Sequence, residues 1–251
     1  MSIFIQLLTI FYGCNQSIAM SLGRTWTIKM RNLIDEGIPS ILRDQYWFMF
    51  LPFKILFKDK AGVFMHFKQR AYGMSDKEFA GVYKELDKYF IQRGTDLNDA
   101  CFQKILKSIK GETVLEVGCG KGLLTKALSK KYKVTACDIV LDNALLKEKD
   151  IKLVEAKAEA LPFADSSFDT VVCTHTLEHV LDFNLAISEL RRVTRRRLII
   201  VVPKQRPYKY TFDVHLHFFP YPESLGIAMG NNPDSKCEEV DGDLFYVENK
   251  K

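Results

Sequence analysis

Five residues carry the clearest chemistry in this sequence. Glu116, Gly118, Gly120 and Gly122 fall within the stretch Val114-Leu115-Glu116-Val117-Gly118-Cys119-Gly120-Lys121-Gly122, and Asp138 follows Gly118 by 20 positions. Glycines at this spacing let a backbone come close to a ligand, and a helix opening just behind them turns its N-terminus toward it. A carboxylate about 20 residues further on, at the end of the next strand, can accept both hydroxyls of a ribose. A nucleotide-like cofactor is the natural occupant. A dinucleotide fingerprint needs its third glycine where Leu123 stands, and here the spacing is GxGxG with an acid ahead of it at Glu116. The reading as a nicotinamide oxidoreductase is therefore disfavoured.

Such a loop works only between a strand and a helix, and the surrounding pattern supplies both. Thr113 to Val117 is a short apolar run, Leu123 to Lys130 reads as a helix, and Lys133 to Cys137 is a second apolar run, which makes a βαβ unit. Further apolar runs at Lys152 to Glu155, Asp169 to Cys173 and Leu198 to Val202 alternate with helical stretches at Asp142 to Glu148 and Asp182 to Arg192. Alternation of this kind builds a parallel sheet with helices on both faces. A helix near Pro222 to Met229 and two short strands about an Asp241-Gly242 turn close the pattern. The expected fold is α/β and doubly wound: a mostly parallel seven-stranded sheet, a C-terminal antiparallel hairpin and a helical N-terminal extension.

Residues 1–95 are assigned to that extension or lid and 96–251 to the cofactor-binding domain. In the extension, Ser75 and Glu78 form a capping box ahead of Phe79, Val82, Leu86 and Tyr89 at helical spacing. Leu97 begins another helix, with Cys101, Phe102, Ile105 and Ile109 on one face, Asp96 as N-cap and Gly111 as stop. Pro52 is expected to prevent one continuous helix through Tyr46 to Lys58.

The glycine loop and a second signature together carry a family resemblance. The second signature runs from Ala158-Glu159-Ala160-Leu161-Pro162-Phe163 through Asp165 and Phe168-Asp169, then to Val171-Val172-Cys173 and Leu177-Glu178-His179-Val180. Over about Gly111 to Val202 the chain resembles the class I, Rossmann-like methyltransferases that use S-adenosylmethionine (SAM), above all the small-molecule group that includes the ubiquinone and menaquinone C-methyltransferases. The resemblance implies SAM as cofactor. It implies that Glu116 with Gly118, Cys119, Gly120 and Gly122 holds the methionine moiety, that Asp138 with Ile139 binds ribose, that Ala158 with Glu159 flanks adenine, and that Thr174 at the end of the fourth strand completes the site. Two departures stand out. Lys157 occupies the place where many relatives carry an Asp for the adenine amino group, and Thr194-Arg195-Arg196-Arg197 replaces the usual Pro-Gly-Gly turn.

Methyl transfer from a sulfonium is an in-line displacement, so alignment and exclusion of water are the protein's main work. A base is needed only where the acceptor must lose a proton. His175, His179, Tyr208, Asp213, His215 and His217 lie on loops where open α/β sheets bind ligands, and His175 and His217 are chosen for the acceptor side. For each, a packed or solvent-facing side chain is the competing reading. A further alternative for the whole chain is a catalytically inactive SAM-binding module acting as a regulatory partner.

The remaining features bound these readings. A hydrophobic fraction of 47%, charged residues at 27% and a net charge of +5 describe a chain that folds in water and does not call for a nucleic-acid partner. Six cysteines (Cys14, Cys101, Cys119, Cys137, Cys173 and Cys237) show no CxxC spacing, so neither a disulfide frame nor a metal site is expected. Ile3 to Tyr12 is apolar, yet no Lys or Arg precedes Arg24, and the run is short of the about 20 residues a bilayer span needs. Residues 1–20 read as an apolar leader or as the product of a start placed too early, with Met20 and Met30 as alternatives. The aromatic stretch from Tyr46 to Lys60, with Lys54, Lys58 and Lys60, suits a membrane interface or a lipid-like acceptor, against the alternative of a buried lid. The location expected is cytoplasmic, with membrane association as a variant. Arg191, Arg192, Arg195, Arg196 and Arg197 form a basic cluster that a helix C-terminus favours by itself, or that binds phosphate.

Overall fold

The computed structural model describes residues 37–86, 95–148, 151–210 and 213–250. The apolar run Ile3 to Tyr12, the alternative starts, Cys14 and Tyr89 lie outside them. The chain divides into two compact units, one of them holding the segment before Gly94 together with Tyr208–His215, the other formed by Gly94–Pro207 and Leu216–Lys251.

The first unit is helical: α1 (Ser40–Arg43), α2 (Tyr46–Phe57), α3 (Ala61–Met65), α4 (Phe67–Ala71) and α5 (Asp76–Leu86). The capping box of α5 is present, with Ser75 N–H donating to Glu78 at 2.8 Å and Glu78 N–H to Ser75 Oγ at 3.4 Å. Pro52 does not divide the helix. α2 runs through it, because the proline removes a single N–H bond while Met49, Phe53 and Phe57, one turn apart, are all buried. Phe57 stacks on Phe64 of α3 at 3.9 Å between ring centroids. The opposite face of α2 carries Tyr46, Trp47, Phe50, Leu51 and Lys54, all exposed.

The second unit contains all seven strands: β1 (Thr113–Val117), β2 (Lys133–Asp138), β3 (Lys152–Glu155), β4 (Phe168–Thr174), β5 (Thr194–Pro203), β6 (Ser235–Val240) and β7 (Asp243–Asn249). Their order across the sheet is β3-β2-β1-β4-β5-β7-β6, parallel except for β7, which runs against both neighbours. Asp241 and Gly242 both take positive φ, 48° and 81°, as a two-residue hairpin turn requires. Its helices are α6 (Asp99–Ser108), α7 (Leu123–Ser129), α8 (Phe183–Val193) and α9 (Pro222–Ala228). Alternate strand residues feed two cores, Leu115, Val171, Cys173, Leu198 and Ile200 on one face and Val114, Val172, Ile199 and Val201 on the other. That burial on both sides is why the central strands read as continuous apolar runs.

Three local expectations are corrected. The N-cap of α6 is Asn98, which accepts Cys101 N–H at 2.6 Å, and not Asp96. Among the described residues between β2 and β3, a 3-10 turn forms at Leu145–Lys147 where a helix over Asp142 to Glu148 was expected; Leu145 is drawn into the core and anchors the turn. No turn precedes β5: α8 ends at Val193 and β5 starts at Thr194. The arginines there are structural partners. Arg191 pairs with Glu248 at 2.6 Å, Arg192 with Glu189 and Asp165, Arg195 and Arg196 with Asp169, and Arg197 with Asn249. Cys101, Cys119, Cys137 and Cys173 are buried thiols and Cys237 is a half-buried one, none of them in a disulfide. Among the described residues no helix is long and apolar enough to cross a membrane.

Candidate active site

β1 delivers Glu116 and Val117 to the carboxyl edge of the sheet, and the chain then turns through three glycines of positive φ, Gly118 at 76°, Gly120 at 49° and Gly122 at 75°. The three are glycine for different reasons. A Cβ on Gly118 would fall on Thr176 Oγ1 and one on Gly122 would fall on Leu145, whereas a Cβ on Gly120 would meet nothing within 4 Å. Gly120 is therefore the point at which the loop stands open to a ligand.

Four of the N–H donors of this loop are already committed. Gly118 and Cys119 N–H both donate to Cys137 C=O, at 2.8 and 3.1 Å, and Gly122 N–H donates to Cys119 C=O at 2.8 Å. Gly120 N–H donates to Asp138 Oδ2 at 2.8 Å, and Val140 N–H to Asp138 Oδ1 at 3.2 Å. Burial raises the Asp138 carboxyl, against the backbone bonds from Gly120, Val140 and Ile139. Ile139 follows it, half-buried. The Cys119 side chain packs inward with Ala136, Leu145 and Ile151, so toward a ligand Cys119 offers backbone only.

Glu116 is 2% exposed and accepts Thr125 Oγ1–H at 2.5 Å from the first turn of α7. Burial pushes its carboxyl up to about 8, opposed by the Thr125 bond and reinforced by the Asp138 charge. Among the described residues, neither Glu116 nor Asp138 has an ion-pair partner.

After β3, Ala158 is buried. Glu159 accepts Leu181 N–H at 3.0 Å, which ties this loop to the segment after β4. Lys157 stands in an isolated bridge with Ala160. Thr174 ends β4 and is buried, its carbonyl accepting from Thr176 Oγ1–H at 2.9 Å.

The two histidines chosen for the acceptor side differ in kind. His175 lies between two carboxylates, Nδ1 at 3.4 Å from Glu178 and Nε2 at 3.2 Å from Asp243. With an acceptor at each nitrogen the ring carries both protons: against burial, which pulls it down, Asp243 and Glu178 raise it to about 10. His217 Nε2 sits 2.8 Å from Val180 C=O. A carbonyl only accepts, so Nε2 carries the proton and Nδ1 keeps a lone pair. Burial lowers this ring's pKa, keeping it neutral at pH 7. His179, next to Val180 in sequence, is half-buried, its backbone N–H donating to Thr176 C=O. Tyr208, Asp213 and His215 belong to the other unit, where Lys68 donates to Tyr208 C=O at 2.8 Å and Asp213 lies 3.4 Å from His215.

Sequence reasoning did not single out Thr125, Thr176, Asn98 or Asp243, and it quoted Glu178 only as part of a motif. A signal existed for Thr125, nine residues after Glu116 and on the first turn of the helix that the glycines open.

Residues 115–202 match the family model described as a methyltransferase domain. Over 134 residues the chain is 31% identical to demethylmenaquinone methyltransferase of Beutenbergia cavernae, covering 50% of this chain and 55% of that one. Over 145 residues it is 30% identical to ubiquinone/menaquinone biosynthesis C-methyltransferase UbiE of Citrobacter koseri, covering 50% and 57%. The chain thus spans about half the length of the curated relatives it matches. A SAM-dependent methyltransferase of Thermotoga maritima has a similar fold, with a TM-score of 0.50 and 18% identity over 69% of this chain and 97% of that one. The matched segment coincides with most of β1 through most of β5, the part of the sheet whose carboxyl ends hold Glu116, Asp138 and Thr174.

Proposed function

We propose that the protein transfers a methyl group from SAM to a small-molecule or lipid-linked acceptor. The residues assigned to the cofactor are Glu116, Gly118, Cys119, Gly120, Gly122, Asp138, Ile139, Ala158, Glu159 and Thr174. The observation that carries the reading is the state of the glycine loop, whose donors at 118, 119, 120 and 122 are all spent within the protein while two carboxyl groups without counter-ions stand beside it. A pyrophosphate needs free N–H donors, whereas an acid in the place of Asp138 suits the ribose of either kind of nucleotide cofactor. A ribose needs acceptors, which Asp138 provides, and an amino-acid tail with a cationic amine favours the ionised form of Glu116 beside it.

When bound, SAM supplies an electrophilic methyl on a positively charged sulfur. The chain's own contribution is orientation. Gly120 leaves room for close approach, Asp138 accepts from hydroxyls while keeping Gly120 in place, and Glu159 fixes the loop after β3 against Leu181. For an acceptor that must lose a proton, His217 has the free lone pair at Nδ1; His175, protonated on both nitrogens, has none to give.

The relatives' names concern menaquinone and ubiquinone methylation, and a quinone-like, lipid-linked acceptor is the class proposed. It goes with a cytoplasmic protein making peripheral membrane contact through residues 46–60, where Trp47 is 66% exposed and Phe50 and Leu51 flank it on the outer face of α2. Isothermal titration with S-adenosylhomocysteine and with NAD tests the cofactor: micromolar binding of the first and none of the second is expected, and the reverse overturns the reading. Turnover is tested by transfer of labelled methyl from SAM into lipid extracts. Binding without transfer to any acceptor would point to the inactive module.

A further inference from the structure

β4 ends at Thr174, and the next residue departs from extended backbone: His175 has φ of 47°, in the left-handed region that a β-carbon disfavours. Such outliers persist only where their surroundings over-determine them, and they concentrate at functional sites. Here the surroundings are explicit. Glu178 and Asp243 grip the two ring nitrogens at 3.4 and 3.2 Å, and His175 N–H continues the ladder to Val201 C=O at 2.8 Å. Asp243, the first residue of β7, is held in turn by Asn98 Nδ2–H at 2.8 Å, and Asn98 caps α6. The ring is thus tied to the hairpin and to α6.

The backbone turn at His175 sets the direction of the next side chain. Thr176 Oγ1 donates to Thr174 C=O at 2.9 Å and lies 3.5 Å from Val117 C=O, directly against Gly118. Gly118 in turn begins the loop that leads to Gly120 and Asp138. We propose that His175 is a positioning residue: clamped by Glu178 and Asp243, it holds the left-handed turn that seats Thr176 on Gly118 and so fixes the shape of the glycine loop. Its consequence for cofactor affinity rests on the proposed SAM reading, whereas its consequence for the loop does not.

The test uses the full chain without ligand. His175→Asn keeps a residue that tolerates left-handed φ but lacks the reach to both carboxylates. Thr176→Val keeps the shape and removes the hydroxyl. Amide hydrogen exchange is followed in residues 118–122 and, as a control for global opening, in α8. His175→Asn is expected to speed exchange in the loop by about tenfold and in α8 by less than about twofold. The double variant should be no faster than the more affected single one, since two residues acting in series do not add. S-adenosylhomocysteine should bind His175→Asn about tenfold more weakly, roughly 1.4 kcal/mol. Should His175→Asn fail to fold, His175→Gln with Glu178→Gln carries the same measurements without the paired charges. Unchanged loop exchange, an equal rise in α8, or additive effects would each overturn the proposal. Failure of the wild type to bind S-adenosylhomocysteine would overturn the cofactor reading instead, and the exchange data would still judge His175.

Discussion

Glu116→Gln isolates the largest electrostatic cost visible at the site. A free glutamate ordinarily releases its proton near 4.5, and Glu116 in the folded protein holds it to about 8 because burial outweighs the Thr125 bond. Between those values the unfolded state binds fewer protons than the folded one, so stability falls as pH rises; below 4.5 the cost vanishes and above 8 it is constant. At about 1.4 kcal/mol per pH unit, the full interval is worth about 5 kcal/mol, of which about 1 has accrued at pH 5 and about 3 at pH 7. Glutamine keeps an oxygen for Thr125 and cannot ionise. Its stability relative to wild type should therefore improve by about 2 kcal/mol between pH 5 and pH 7 and further to pH 8. Urea denaturation of both proteins at each half pH unit measures this. The new amide adds an offset that does not vary with pH, so the slope of the difference carries the information, and contributions from all other groups cancel. A flat difference from pH 5 to pH 8 would show that Glu116 ionises normally and that the burial argument is wrong.

Gly118→Ala and Gly120→Ala should part company. The first combines strained φ with overlap on Thr176 and should lose about 2–5 kcal/mol of stability. The second meets only open space and should lose about 1–2 kcal/mol in urea titration, while its methyl group, standing where a ligand approaches, weakens S-adenosylhomocysteine binding by at least as much. Asp138→Ala should weaken that binding by about 1.5–3 kcal/mol in isothermal titration, because the acceptor for ribose and the anchor of Gly120 N–H go together; unchanged affinity would place the ribose elsewhere. For the membrane contact, Trp47→Ser with Leu51→Ser should reduce sedimentation with anionic vesicles by about tenfold or more, given about 2 kcal/mol per large apolar side chain withdrawn. Equal sedimentation of variant and wild type would refute contact through that face.

The strands of the parallel sheet were legible because their periodicity is local: Thr113–Val117 and Lys152–Glu155 lie where the apolar runs put them. The helical stretch from Asp182 and the Asp241-Gly242 turn were legible for the same reason, each being decided within a few residues. What escaped depends on distant partners. Asn98 displaces Asp96 as N-cap because its amide also reaches Val240 and Asp243, residues more than 140 positions away. Pro52 is carried within α2 by the buried side chains around it, a tertiary gain that no propensity contains. His175 drew notice as a titratable residue at a strand end. Its protonation is decided by Asp243, 68 positions away, and a chain read linearly does not bring the two together.

The charge at the site also bears on which cofactors it can refuse. At pH 7 the free protein keeps the Glu116 proton, so the charge that opposes a pyrophosphate is that of Asp138, beside N–H groups at 118, 119, 120 and 122 that are already bonded; at a few ångströms in a partly buried site such a repulsion amounts to about 1–4 kcal/mol. A ligand bearing a sulfonium and an ammonium reverses the sign. It favours the ionised form of Glu116 and draws the carboxyl back toward its ordinary range, so the desolvation cost that the free protein avoids by keeping its proton is met by the ligand's charge. Burying an acid behind Gly118 thus makes the loop selective through charge, where a dinucleotide loop selects through donors. The two loops look alike as glycine patterns and differ in what the glycine N–H groups are already holding.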